Sequence, residues 1–320
     1  MPSDRALLIA AGGGIGDTLL AGVVAHALHE KYAHVDALVL PAHRAVAERD
    51  PAIGRVHLLG SLVPTANDLR REGYAASVTT WATLATALVP ALAGIPVRAG
   101  QARRLYSPLF TERVIVRSEL GDRSTHWTQI LLDYARAIGC DAAVPQPAFV
   151  PTADDRTAAA ALLAGRGIAG SFALLHPTRG LSARHARWPV AGFVALVRAL
   201  RERDGLPLLI TGSGADAAIA EEIARETDAI SIAGATSLGT YAALAQRAWY
   251  VIAMDSGPMH VAAATGAPTV GIFALQSDEP DRWAPIGPRT AGVRAVYPCP
   301  AAHRKETCPD FACEIGRAHV

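Results

Sequence analysis

The chain is expected to form two Rossmann-like α/β domains, each built on a parallel sheet, facing one another across a central cleft. Three observations lead there. Apolar runs of strand length alternate with periodic segments of helix length along the whole chain, as repeated βαβ units require. A Pro-rich, aperiodic stretch, VPQPAFVPTADD at residues 144–155, interrupts the alternation, and the pattern then restarts. A length of 320 residues suits about two domains, here 1–150 and 151–313.

In the first half, residues 6–10 read as a strand and 18–32 as a helix. Residues 37–40, 56–59 and 76–80 read as further strands, with helical pieces between them. Residues 73–97 run for 25 positions without a charge, long enough to span a bilayer. Four Thr, one Ser and breaks at Gly73, Pro90 and Gly94 favour instead a buried strand at 76–80 and a buried helix at 84–93. Residues 125–138 form a longer amphipathic helix that ends at Gly139. In the second half, helices are expected at 156–166, 190–203, 217–227 and 237–246, and strands at 172–175, 207–211, 229–232 and 249–253. The segment VIAMDSGPMHVAAATGAPTVGIFALQ (251–276) then reads as strand, tight turn, a small-residue helix at 259–265, a turn at GAP, and a strand at 269–273. Its turn presents backbone N–H groups and a positive helix end beside Asp255, Ser256 and His260, a setting that suits a diphosphate.

Composition excludes several classes. A net charge of +1 supplies no basic field for nucleic acid. Four cysteines, three of them near the C-terminus, make no disulfide framework. The start MPSDRALLIAAGGG lacks the basic opening and cleavage site of a signal peptide, so a reducing cytoplasm is expected.

Five clusters carry candidate chemistry. GGGIGD (12–17) follows the first strand, where glycines permit a tight turn and close backbone approach. A dinucleotide fingerprint would need its third glycine at position 17, which is Asp17, and an acid closing the second strand, where Leu40 is followed by Pro41. Asp17 either caps the helix or faces the cleft as a base. HPTRG (176–180) runs into LSARHARW, which brings Arg179, Arg184, Arg187, His176 and His185 to a sheet edge, either as phosphate ligands or as a solvated basic loop. TGSGAD (211–216) suits phosphate or ribose, or else Asp216 is an ordinary helix-start charge. DEPD (278–281) reads as solvated surface with a divalent metal as the alternative. Cys299, Cys308 and Cys313, separated by eight and four residues, match no standard zinc spacing, although His303 could complete four ligands.

GGIGDTLL, HPTRG…RWP, GSGAD and DSGPMHVAAATGAPTVGIF, in this order over nearly the whole chain, resemble glycosyltransferase family 9, the ADP-heptose:lipopolysaccharide heptosyltransferases and their relatives. DSGPMH is the most specific of these motifs. The resemblance implies GT-B architecture, with an N-terminal acceptor-binding domain, a C-terminal nucleotide-sugar-binding domain and the active site between them. It implies an inverting transfer with no metal and no cofactor, the nucleotide sugar being a substrate. Asp17 matches the catalytic aspartate, which would deprotonate the acceptor hydroxyl. Gly14, Gly16, Thr178, Arg187, Gly212, Asp216, Asp255, Ser256, Gly257, Pro258, Met259 and His260 are the implied donor-binding residues. Within that set, N–H groups at 257–260 and the hydroxyls of Thr178 and Ser256 would meet the diphosphate. Asp255 would orient sugar hydroxyls. The acceptor would be a lipid-linked core saccharide at the inner face of the cytoplasmic membrane, so peripheral association is expected. Arg103, Arg104, Arg123 and His126 are candidates for holding its acidic groups, against the alternative of ordinary surface charge.

Two positions depart from the family pattern. Ala186 stands where a lysine usually precedes the Trp188-Pro189 pair, with Arg187, Arg184 or His185 as substitutes of different reach. The acid of the ribose-binding turn is represented by Asp216. The resemblance also implies a further helix that crosses back onto the N-terminal domain, whereas the sequence stops soon after Cys313. Residues 314–320 are expected to be a non-native tail, because IGRAHV is what a common sequencing-adapter string encodes. The alternatives are another nucleotide sugar, a natural-product or capsule acceptor, or a nucleotide-sugar binding protein without turnover.

Overall fold

The computed structural model describes residues 4–141, 146–178, 188–273 and 280–294. The chain divides into two compact units, Met1–Val150 and Pro151–Val320.

The N-terminal unit holds strands β1 (Arg5–Ala10), β2 (His34–Val39), β3 (Val56–Leu58), β4 (Ala76–Thr79), β5 (Val97–Gln101) and β6 (Glu112–Val114). Its helices are α1 (Ile15–Leu28), α2 (Arg44–Ala47), α3 (Leu62–Glu72), α4 (Leu84–Leu92) and α5 (Trp127–Arg136). The sheet runs β3-β2-β1-β4-β5-β6 with every pair parallel. Leu7 and Leu8 of β1 point to opposite faces and both are buried, as a sheet covered on both sides demands. On one face Leu7, Ile9 and Leu38 pack with Leu69 of α3 and Val89 of α4. Helix α1 is buried continuously from Thr18 to Ala25 and packs against α5, which is why its sequence is apolar nearly all round.

The C-terminal unit holds α6 (Ala153–Gly165), β7 (Ala173–His176), α7 (Val190–Asp204), β8 (Leu208–Ile210), α8 (Ala217–Arg225), β9 (Ile230–Ser231), α9 (Leu238–Arg247), β10 (Tyr250–Met254), α10 (Gly257–Ala264), β11 (Thr269–Phe273), α11 (Pro280–Trp283) and β12 (Thr290–Arg294). Its sheet runs β12-β11-β10-β7-β8-β9, again all parallel. Phe193, Val197, Leu175, Ile210 and Met254 form its core.

Both sheets share one topology. The chain builds outward from the first strand, then returns and builds outward on the other side. The switch points fall between β1 and β4 and between β7 and β10, and loops at the carboxyl ends of such strands are where α/β sheets bind ligands.

Several expectations need correction. Helix α1 starts at Ile15 rather than at position 18, because Gly14 in extended backbone serves as its N-cap, and it ends at Leu28. Asp17 therefore lies inside the first turn. The stretch expected as linker loses its last three residues to α6, whose N-cap Thr152 exchanges hydrogen bonds with Asp155 at 3.0 and 3.2 Å. Residues 142–145 of that stretch lie outside the described residues. Strands β5, β6 and β12 were not foreseen. Arg98, Gln101, Glu112 and Arg113 hide the apolar signal of β5 and β6, which close one edge of their sheet, and β12 closes an edge of the other. The uncharged stretch 73–97 resolves into β4, α4 and the start of β5, and no helix among the described residues is long and apolar enough to cross a membrane.

Candidate active site

The candidate site residues of the N-terminal unit lie in the turn between β1 and α1. Gly13 takes the left-handed conformation (φ +68°), and a Cβ there would stand 2.4 Å from Asp17 Oδ2. The turn folds back so tightly because the Asp17 carboxylate accepts the Gly14 N–H at 2.7 Å. This is the backward half of a capping box, worth about 1 kcal/mol to a helix start. Asp17 thus caps α1, but a carboxylate has two oxygens and about four acceptor sites, so capping and proton acceptance are compatible. Gly12 lies against Trp81 at the carboxyl end of β4, where a Cβ would fall 2.8 Å from the Trp81 Cβ. The Trp81 ring packs with Trp127 of α5, centroids 5.9 Å apart. An aromatic wall therefore flanks the glycine turn. Behind the turn, the Thr18 hydroxyl donates to the Ala10 carbonyl at 3.3 Å, which leaves its oxygen to accept from His43 Nδ1 at 2.8 Å. Burial lowers the His43 pKa, and the network is that of a neutral imidazole.

Arg103, Arg104 and Arg123 are exposed on the loops after β5 and β6. Arg104 pairs with Glu119 at 2.9 Å. His126 is the N-cap of α5, where its Nδ1 accepts the Thr128 N–H at 3.2 Å.

The candidate site residues of the C-terminal unit gather at the switch point between β7 and β10. His176 ends β7 and Thr178 follows, both buried. The Thr211 hydroxyl donates to the Leu175 carbonyl at 3.2 Å, so His176 Nδ1 donates to Thr211 at 3.0 Å. His176 Nε2 is then the acceptor for the Thr178 hydroxyl at 3.4 Å. Burial pushes the His176 pKa down to about 4, against the opposing pull of Asp216, which agrees with this neutral tautomer. The unfolded imidazole titrates near 6.5, so stability is full above that pH and is lost as pH falls toward 4. Between pH 7.5 and 5, His176 is expected to account for about 2 kcal/mol of lost stability. Urea denaturation of His176→Asn, which keeps a donor for Thr211, should show that loss removed. An unchanged pH slope in the variant would contradict the assignment.

Beside it, β10 ends at Met254 and Asp255 bonds the Ile272 carbonyl through its N–H at 2.9 Å. Ser256 is the N-cap of α10, and its hydroxyl donates to the Met254 carbonyl at 2.9 Å. Pro258 in the first turn has no N–H, and the Met259 N–H reaches Ser256 O at 3.1 Å. Of the N–H groups expected at 257–260, Pro258 has none and that of Met259 is taken, while that of Gly257 has no partner inside the helix by position. The Met259 side chain is fully buried against Ala253 and Phe273, so it serves the core and not a ligand. His260 is buried in the same turn. Sequence reading missed Tyr241 of α9, whose hydroxyl donates to the Pro258 carbonyl at 3.0 Å and whose ring lies 6.1 Å from that of His176. Burial raises its pKa well above the ordinary phenol. It braces the α10 turn against β7. In sequence it looks like any core aromatic.

After β8, Gly212 leads into a short 3-10 turn at Gly214–Asp216. The Asp216 carboxylate is buried and takes both the Ser213 N–H at 2.9 Å and the Ser213 hydroxyl at 2.5 Å. It shapes the turn from within, as the helix-start reading expected. Arg187, Ala186, the other residues of the basic loop at 179–187, Asp278, Glu279, the three C-terminal cysteines and the tail lie outside the described residues. Among the described residues, no three His, Cys, Asp or Glu side chains cluster as metal ligands.

The chain superposes on E. coli ADP-heptose lps heptosyltransferase II with a TM-score of 0.76 at 20% identity, covering 91% of each chain. A glycosyl transferase family 9 protein from Veillonella parvula DSM 2008 gives 0.77 at 20% identity, over 90% of this chain and 84% of that one. E. coli heptosyltransferase WaaC, solved with ADP, gives 0.71 at 17% identity, over 91% and 93%. These likenesses establish the fold. No curated protein matches the sequence. The family model of glycosyltransferase family 9 (heptosyltransferase) matches residues 64–310, which takes in every C-terminal motif described above. The chain belongs to glycosyltransferase family 9, and its two six-stranded parallel sheets are those of a glycosyltransferase of this family.

Proposed function

We propose that this glycosyltransferase moves a heptose from ADP-heptose to a lipid-linked core saccharide, with inversion and without a metal. The observation that carries the reading is the convergence of Thr178, Ser256 and the α10 N-terminus at one sheet switch point, backed by neutral His176. A helix start and hydroxyls suit a diphosphate leaving group, whose charge grows as the glycosidic C–O bond breaks. Asp17 would take the acceptor proton while the acceptor oxygen attacks the anomeric carbon and ADP departs from the opposite face. Asp255 would hold sugar hydroxyls. Asp216 would act by holding the Gly212–Ser213 backbone rather than by touching ribose. Arg103, Arg104, Arg123 and His126 would face an acidic acceptor, and Trp81 would offer its sugar ring an apolar wall. That WaaC of E. coli was solved with ADP, and with ADP-2-deoxy-2-fluoro heptose, supports the donor.

A second reading keeps the chemistry and changes the sugar nucleotide. Ala186 in place of the usual lysine, and the inward-turned Asp216, favour it. Turnover with ADP-heptose, UDP-sugars and GDP-sugars against truncated core glycolipids separates the two. The leading reading expects ADP release only from ADP-heptose, an inverted anomeric linkage by NMR, and rates indifferent to EDTA. Release from a UDP- or GDP-sugar alone would reject the donor.

A further inference from the structure

Trp249 presents 67% of its surface to solvent, at the edge of the C-terminal sheet opposite the switch point. Strands β10, β7 and β8 are parallel neighbours, so the residues just ahead of them share the amino edge. These are Trp249 before β10, Ser171 before β7 and Leu206 before β8. With Asp204, the last residue of α7, they line a surface depression of about 280 Å³. That volume lies just below the range of drug-sized ligand pockets and suits one small ring.

The depression is held in shape by its own bonds. The Trp249 N–H reaches the Phe172 carbonyl at 2.8 Å. Gly205 closes α7 in the left-handed conformation, and its carbonyl accepts from Arg201 at 2.6 Å. Arg203 grips the Asp204 carboxylate with two N–H groups at 2.7 and 2.6 Å, and the Tyr250 hydroxyl donates to it at 2.8 Å. The bonds from Arg203 and Tyr250 pull the Asp204 pKa down to about 2, so the carboxyl stays ionised and the pair with Arg203 is neutral overall.

The lining selects a class of ligand. Trp249 and Leu206 offer apolar surface. A carboxylate has about four acceptor sites, and the bonds from Arg203 and Tyr250 leave Asp204 Oδ1 able to accept once more. Ser171, exposed beside it, adds a hydroxyl that donates and accepts. An ion of either sign gains little from a pair without net charge. A pyranose ring matches the lining, with a C–H face for the indole and hydroxyls for Asp204 and Ser171.

We propose that this depression is a carbohydrate subsite, separate from the residues of the donor reading, that holds one neutral pyranose ring. The ring stacks on Trp249 and hydrogen-bonds to Asp204 and Ser171. The subsite does not depend on the identity of the donor.

NMR of the isotope-labelled full chain, titrated with methyl α-D-glucopyranoside or methyl α-D-mannopyranoside, tests it. The Trp249 indole and Leu206 amide signals should shift saturably with at least one glycoside. The expected Kd is on the order of 1 mM, which one sugar ring attains in a shallow site. Tetramethylammonium and inorganic phosphate should leave both signals in place. Trp249→Ala should weaken the Leu206 response about tenfold, and Trp249→Phe should keep it, because a phenyl ring still offers a face. Ser171→Ala should weaken it severalfold. Both residues are exposed, so thermal melting and ADP binding should match the parent in all three variants. Signals that ignore both glycosides, or that answer tetramethylammonium instead, would overturn the proposal. So would a Leu206 response undiminished in Trp249→Ala, or a dimer of the parent that this variant dissolves.

Discussion

Asp17→Asn is expected to lower kcat by roughly 10²–10⁴-fold, the span that positioned general bases contribute. The substitution is conservative in structure. An amide oxygen still accepts the Gly14 N–H that the Asp17 carboxylate takes at 2.7 Å, so α1 keeps its cap. Only proton acceptance is removed. Asp17→Ala also removes the cap and is expected to cost about 1 kcal/mol of stability besides the activity. Comparing the two separates catalysis from capping. ADP affinity should be unchanged in Asp17→Asn, because the residues proposed to hold the diphosphate belong to the C-terminal unit. Steady-state turnover near the parent's rate would mean that Asp17 is a structural cap alone.

The second large effect is expected at Gly13. At φ +68°, with a Cβ that would stand 2.4 Å from Asp17 Oδ2, alanine meets both backbone strain and the carboxylate itself. The left-handed conformation costs a residue with a side chain about 1–2 kcal/mol. The carboxylate must also swing away from the Gly14 N–H. Displacing a catalytic group by about 1 Å can cost on the order of 10²-fold in rate, so Gly13→Ala should lose activity far beyond its loss of stability. Gly94→Ala is the control, since its φ is +75° and nothing lies within 4 Å of its Cβ position. It should lower the melting temperature and leave kcat alone. If Gly13→Ala behaves like Gly94→Ala, the glycine turn does not position Asp17 for catalysis.

What sequence could show depended on where each signal is stored. Strands β1, β2, β4, β7, β10 and β11 are central in their sheets and read plainly as apolar runs. Strands β6 and β12 lie at edges and β5 beside one, and Arg98, Glu112 and Arg294 dilute their pattern, since such strands bury less. The DSGPMH turn was legible because a proline in the first helical turn after a strand has a local cause. Met259 was not: its backbone belongs to the motif, while its side chain serves the core between α10 and β11. Within the C-terminal unit Tyr241 and Thr211, and within the N-terminal unit Trp81 and His43, reach the candidate site residues only through strand order and helix packing, which a linear reading does not contain. Asp17 and Asp216 show one further limit. In both turns a carboxylate three residues past the cap returns to a backbone N–H, and a catalytic acid and a capping acid share that spacing.

Calorimetric titration of the full chain with ADP, UDP, GDP and NAD tests, without any acceptor, whether the C-terminal switch point receives an adenosine diphosphate donor. Saturable binding of ADP in preference to UDP and GDP, with none of NAD, is the expected result. A preference for UDP or GDP, or binding of NAD alone, would contradict it.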